Sequence, residues 1–176
     1  MAFINIEIKA RTGRAEFIRE YLVSHGAELH GVDSQTDTYF NVSNGRLKLR
    51  EGNIENNLIY YERVETGGLK QSNVEMIGVS EGPVLKSMLS KSVGVKAVVS
   101  KVREIYYIGN VKFHIDVVEG LGSFVEVEAS DKFESISSDR LREQCAEYME
   151  AFGIKEEDLV KASYSDMVQS KVNIAR

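Results

Sequence analysis

The sequence predicts an α+β protein in which about eight antiparallel strands close into a barrel around a charged tunnel, with helices packed on the outside. Three observations predict it. Polar or ionic residues take every second position of several β-like segments: Asn5, Glu7 and Lys9; Arg46, Lys48 and Arg50; Lys101 and Arg103; Glu126 and Glu128. The residues between them, Ile6, Ile8, Leu47, Leu49, Val102, Val125 and Val127, give an equally consistent apolar face, because side chains on a strand alternate between two faces. Amphipathic helical patterns elsewhere in the chain then supply the apolar stripes that such a face can pack against.

The strand-like runs lie near residues 3 to 10, 35 to 41, 46 to 50, 58 to 64, 71 to 79, 97 to 108, 111 to 118 and 124 to 130. Asn44-Gly45 and Gly109-Asn110 are two-residue reversals and Gly120-Leu121-Gly122 is a third, so consecutive strands are expected to pair antiparallel. A helix over roughly 13 to 25 follows from Phe17, Ile18, Tyr21 and Leu22, with Thr12 as N-cap and Gly26 as stop. A second runs from about Pro83 to Val93, with Leu85, Met88 and Leu89 facing inward. The third is capped by Ser137 or Ser138, carries Asp139 in its first turn, and shows the stripe Leu141, Cys145, Tyr148, Met149 and Phe152 before Gly153. Polar connections at Glu51 to Asn57 and Glu65 to Leu69 are placed to cover a site.

At 176 residues, 43% hydrophobic and 28% charged, the chain reads as one folded domain spanning residues 1 to 176. Its net charge of -5 argues against a general nucleic-acid binder, so any anion site must be local. The start Met1-Ala2-Phe3-Ile4-Asn5 lacks the basic and apolar pattern of a secretion signal, and no apolar run approaches a membrane span; the expected location is the cytoplasm. A single cysteine, Cys145, lies in a helical pattern away from other thiols or histidines, which assigns it to core packing.

Alternating charge on one strand is ordinarily a wet sheet face. Here seven cations (Lys9, Arg46, Lys48, Arg50, Arg63, Lys101 and Arg103) share the face with four anions (Glu7, Asp116, Glu126 and Glu128), an excess of three positive charges within an acidic protein. Like charges held side by side are destabilising unless a ligand relieves them. If the barrel closes with this face inward, the lumen must stay wet, since ionised groups in a dry core cost several kcal/mol each. It would hold water, a metal ion and an anionic substrate. A transmembrane barrel shares the apolar exterior, but several strands are too short for it and the helices need that exterior. In the strand 58 to 64, register decides whether Arg63 or Glu62 faces inward.

Asn5-Ile6-Glu7-Ile8-Lys9 resembles the Glu-x-Glu-x-Lys signature of the CYTH superfamily, or triphosphate tunnel metalloenzymes, which includes class IV adenylyl cyclases and thiamine triphosphatases. The segments Asp37-Thr38-Tyr39-Phe40, Gly45 to Glu51, Lys101-Val102-Arg103, His114-Ile115-Asp116 through Glu119-Gly120-Leu121-Gly122 to Glu128, and Ser163-Tyr164-Ser165-Asp166 are similar to family blocks in the family's order. The resemblance implies that Glu7, Glu126 and Glu128 hold Mg²⁺ or Mn²⁺, with Asp116 as a further acidic group. It implies too that Lys9, Arg46, Lys48, Arg50, Arg63, Lys101 and Arg103 grip the oxygens of a small-molecule triphosphate such as ATP, thiamine triphosphate or tripolyphosphate. Hard oxygen ligands suit hard cations, and arginine forks suit phosphate. Asn5 replaces the first signature glutamate, so metal affinity is expected to fall.

The implied chemistry is displacement at phosphorus, as a triphosphatase or a class IV adenylyl cyclase, with Glu126, Glu128 and Lys9 as the catalytic groups. A noncatalytic sensor of nucleotide or polyphosphate is the alternative. His114 is expected to be an ordinary hydrogen-bonded residue, Lys70 a surface lysine, and Tyr39 and Tyr60 packing residues. A homodimer is compatible with the pattern.

Overall fold

The structure, a computed structural model, describes residues 1–64 and 69–174, so the predicted connection at Glu65 to Leu69 lies outside the described residues up to its last position. Among the described residues eight strands and four α-helices follow in the order β1 (Ala2–Arg11), α1 (Ala15–Ser24), β2 (Glu28–Phe40), β3 (Arg46–Glu51), β4 (Asn57–Val64), β5 (Lys70–Gly78), α2 (Gly82–Ser92), β6 (Val95–Ile108), β7 (Val111–Val118), β8 (Gly122–Ser130), α3 (Ser138–Ala151) and α4 (Tyr164–Ile174). The strands close into one barrel in the order β1-β5-β4-β3-β2-β6-β7-β8. Every neighbouring pair is antiparallel. The predicted α+β barrel is therefore present, although strands joined through α1 or α2 do not pair. Instead β1 pairs with both β5 and β8, and β2 with β6.

The main apolar core lies outside the barrel wall. Ile6 and Ile8 of β1, Phe113 and Ile115 of β7, and Val125 and Val127 of β8 pack with Ile18 and Leu22 of α1, with Leu141 and Cys145 of α3, and with Phe152 at its C-cap. Burying one such side chain contributes roughly 1.5–3 kcal/mol, enough to turn the apolar face of these strands toward the helices and the ionic face inward. Helix α3 forms as its caps predict: the Ser137 hydroxyl accepts the Arg140 amide at 3.3 Å, and Gly153 ends the turn at φ 64°. At the β3 entrance Gly45 has φ 60°, and a Cβ there would come within 2.7 Å of the Tyr60 ring. Glycine alone fits that corner.

Three expectations need correction. Thr12 does not cap α1; its hydroxyl accepts the Arg14 amide in the turn before the helix, and Arg14 occupies the N-cap. Met88 on α2 is 62% exposed, because α2 rests on β2 and β3 along a narrow contact. Strand β2 begins seven residues before the predicted start: its first half pairs with the long β6 through a bulge between Leu29 and Gly31, which local patterning does not announce. The helices also leave Val98, Val102 and Val117 exposed on the outer face of β6 and β7.

Candidate active site

A cavity of about 240 Å³ runs inside the barrel. Its central hub is Asp37, on the inward face of β2 opposite Arg50 of β3. The Asp37 carboxylate accepts from Arg50 Nε at 2.9 Å and Nη2 at 3.0 Å, from Lys48 Nζ at 3.0 Å, and from Lys101 Nζ at 2.8 Å. Burial alone would raise this carboxyl, but Arg50, Lys101 and Lys48 hold it well below the usual carboxylate range. One carboxylate thus answers three cations, of which, among the described residues, only Arg50 has a second acidic partner, Glu55. Burial pushes the Lys101 ammonium down to about 7 even with Asp37 beside it. This wall is therefore short of anions.

The opposite wall joins β1 to β8, with Lys9 facing Glu126 and Glu7 facing Glu128 across the ladder. Glu126 is heavily engaged: Lys9 Nζ stands 3.1 Å from Oε1, while Arg103 Nη2 donates at 2.8 Å to Oε2 and His114 Nδ1 lies 3.1 Å from the same oxygen. Burial opposes its ionisation, yet Lys9 and Arg103 hold its carboxyl well below the ordinary range. Glu128 is the reverse case, since burial together with Glu126 and Glu7 pushes it up to about 7. Burial and the nearby Arg103 and Lys112 push His114 down to about 3, so it is a neutral imidazole that orients Glu126.

Of the expected site residues, Glu7, Lys9, Lys48, Arg50, Arg63, Lys101, Arg103, Glu126 and Glu128 all line this one cavity, as does Asn5. Arg63 thus faces inward, 3.6 Å from Glu7. Two do not line it. Arg46 bonds Ser163 Oγ at 2.5 Å and Asp166 at 3.0 Å, fastening the start of α4 to the barrel. Asp116 faces inward but is covered: Arg103 grips it through Nε at 2.7 Å and Nη2 at 2.6 Å, and the Tyr164 hydroxyl donates to it at 2.8 Å. It positions Arg103 rather than lining the lumen.

Lys70 is no surface lysine. Its ammonium is 3.9 Å from Glu7, and burial together with Lys9 pushes it down to about 8. Asp37, Glu55, Lys112, Lys132 and Tyr164 also line the cavity but were not singled out as site residues in the sequence. Lys112 shares its parity on β7 with His114 and Asp116, a usable signal; Glu55 sits in a loop without periodicity, where no pattern exists to read.

The acidic side suits a hard divalent cation. Ligand atoms of His114, Glu126 and Glu128 lie within 4.8 Å of one another, and Glu7 faces Glu128 on the adjoining strand. Burial first, then Glu126 and Glu7, raise the Glu128 carboxyl, and a cation among these oxygens would offset both.

The chain is thus a closed barrel whose lumen sets a cation-rich wall against a carboxylate cluster. The CYTH domain matches residues 4–164, and the chain belongs to that family. A Methanocaldococcus jannaschii protein named as a candidate adenylate cyclase is 26% identical over 175 residues, covering 93% of this chain and 98% of that protein. A conserved protein of Pyrococcus furiosus superposes with a TM-score of 0.79 at 22% identity, covering 92% of this chain and 98% of that one. A Hippeastrum protein, described as a candidate adenylyl cyclase with a dominant triphosphatase activity, gives 0.64 at 13% identity and 96% coverage of both chains. Among the described residues no helix is long and apolar enough to cross a membrane.

Proposed function

We propose that this protein is a divalent-cation-dependent enzyme that hydrolyses a small-molecule triphosphate inside the tunnel. The observation that carries this reading is the pairing of a cation-rich wall, where Asp37 answers Lys48, Arg50 and Lys101 with Glu55 reaching only Arg50 among them, with a wall where three carboxylates gather and Glu128 is pushed up to about 7. A polyphosphate supplies what the first wall lacks, and Mg²⁺ or Mn²⁺ supplies what the second lacks.

Lys9, Lys48, Arg50, Lys101 and Arg103 would bind the phosphate oxygens and hold the chain extended, which is most of what catalysis at phosphorus requires. Glu7, Glu126 and Glu128 would hold the cation, which neutralises charge on the phosphate oxygens. Water attacks the terminal phosphorus, a new P–O bond forms, and the bridging P–O bond breaks with diphosphate leaving. Ionised Glu128 is the group placed to take the proton from that water, because both Glu126 oxygens are already engaged. Lys9, which sits 3.9 Å from the Tyr164 ring centroid, offsets the charge that develops.

A second reading is favoured by the M. jannaschii relative: attack by a ribose 3′-hydroxyl on the α-phosphate, giving cyclic AMP and pyrophosphate. Incubation with tripolyphosphate, thiamine triphosphate and ATP under Mg²⁺ or Mn²⁺, with phosphate, pyrophosphate and cyclic AMP resolved, separates the two. Binding without turnover, unchanged by Asn5→Glu, would instead mark a sensor.

A further inference from the structure

The tunnel changes character at the end away from Tyr164. Phe3 lies six residues before Lys9 on β1, ~20 Å along the strand. Around it the lining includes Met76, Val74 and Phe133, the last 69% exposed on the segment after β8. Lys132 Nζ lies 5.6 Å from the Phe3 ring centroid and 5.0 Å from that of Phe133.

Just inside this mouth a loop carries an anion of its own. Glu55 accepts from Arg50 Nη1 at 2.9 Å and from Gln35 Nε2 at 3.0 Å, and it pairs with Lys112. The loop is built to hold it there. Both the Ile54 and Glu55 amides donate to the buried Asp33 carboxylate at 2.9 Å. The Ser34 amide donates to Asn53 Oδ1 at 2.6 Å, and a Cβ on Gly52 would lie 2.6 Å from Asp33 Oδ1.

We propose that this mouth selects what is attached to the phosphate chain: Glu55 fills the anion position beside Arg50 and Lys112 and so refuses a further phosphate, while Phe3 and Phe133 receive a flat, uncharged ring. The proposal rests on the triphosphate reading above. A fourth phosphate arriving at Arg50 and Lys112 meets a carboxylate already bonded to both, and like charges at that range repel. A planar ring meets aromatic faces, on which any neutral heterocycle stacks. A cationic ring is disfavoured, because the Lys132 ammonium already lies over both phenyl faces. The preferred substrate class is a nucleoside triphosphate rather than thiamine triphosphate or a longer polyphosphate.

Calorimetric affinities of the full chain for tripolyphosphate, tetrapolyphosphate, ATP and thiamine triphosphate test this, with Glu55→Gln and Phe133→Ala as variants. The unaltered chain is expected to bind ATP more tightly than thiamine triphosphate, and tripolyphosphate more tightly than tetrapolyphosphate. Glu55→Gln should raise the tetrapolyphosphate-to-tripolyphosphate affinity ratio about tenfold, and Phe133→Ala should lower the ATP-to-tripolyphosphate ratio about fivefold. An unchanged ratio in either folded variant overturns the mouth assignment while leaving the triphosphate reading intact. Should Glu55→Gln not fold, the exposed Phe133 and the ligand ranking of the unaltered chain carry the test. Failure of the unaltered chain to bind tripolyphosphate would overturn both readings.

Discussion

Replacing Asp37 by asparagine removes the charge at the centre of the tunnel's cationic wall. Four hydrogen bonds converge on its two oxygens, from Lys48, from Arg50 twice, and from Lys101. Breaking a buried ion cluster by removing one partner costs about 3–5 kcal/mol, because the remaining charges are left uncompensated. Asparagine keeps one acceptor oxygen, which places the expected loss near the low end, at about 3 kcal/mol. For a chain of this size that lowers the melting temperature by about 6–12 °C. Tripolyphosphate should then stabilise the variant more than the unaltered protein, since its oxygens take over the cations Asp37 has released. The carboxyl is held below its ordinary range, so its contribution is present above the unfolded pKa and fades as pH falls through the folded one. Differential scanning calorimetry at neutral pH, with and without tripolyphosphate, measures both effects. A variant that melts within about 2 °C of the parent, with an equal response to tripolyphosphate, would refute the claim that Asp37 stands in for a bound anion.

Lys48→Ala should weaken tripolyphosphate binding by roughly 10- to 100-fold, the worth of one charged hydrogen bond, as read by titration calorimetry. Glu126→Gln should depress metal-dependent turnover far more than tripolyphosphate affinity; equal losses in both would assign it to substrate binding instead. Glu128 rises from an ordinary 4.5 to about 7, so between these values the folded chain binds more protons than the unfolded one and stability falls as pH increases. Its side chain keeps 22% exposure, which limits the loss to at most about 3 kcal/mol. Glu128→Gln should flatten the profile from urea unfolding at pH 5 and 8, and a profile parallel to the parent's would contradict the assignment.

Alternation made most of the barrel legible, because the same period that puts Glu7, Lys9, Lys101 and Glu126 on one face puts Ile6, Ile8 and Val125 on the other. It could not show which inward residues reach the lumen. Asp116 has the right parity, yet Arg103 and Tyr164 enclose it from both sides. Arg46 shares a face with Lys48 and Arg50 but is drawn to Asp166, 120 residues away, by a contact with no local trace. Lys70 read as a surface residue because nothing nearby in sequence reveals that Glu7 lies across the ladder. Helix α4 escaped because its Ser163 to Asp166 start stands out as a polar block rather than as an amphipathic repeat.

The first strand and the last meet along a single seam, where Glu7 stands opposite Glu128 and Lys9 opposite Glu126. A nascent chain emerging from the ribosome makes its N-terminal half of that seam at once and must wait for about 120 further residues before the other half exists. Until then the Glu7 carboxylate and the Lys9 ammonium of β1 have no β8 across from them. No shortened product of synthesis or proteolysis that lacks β8 can carry the proposed site, and completing the ring of strands and assembling that cluster of charges are one event.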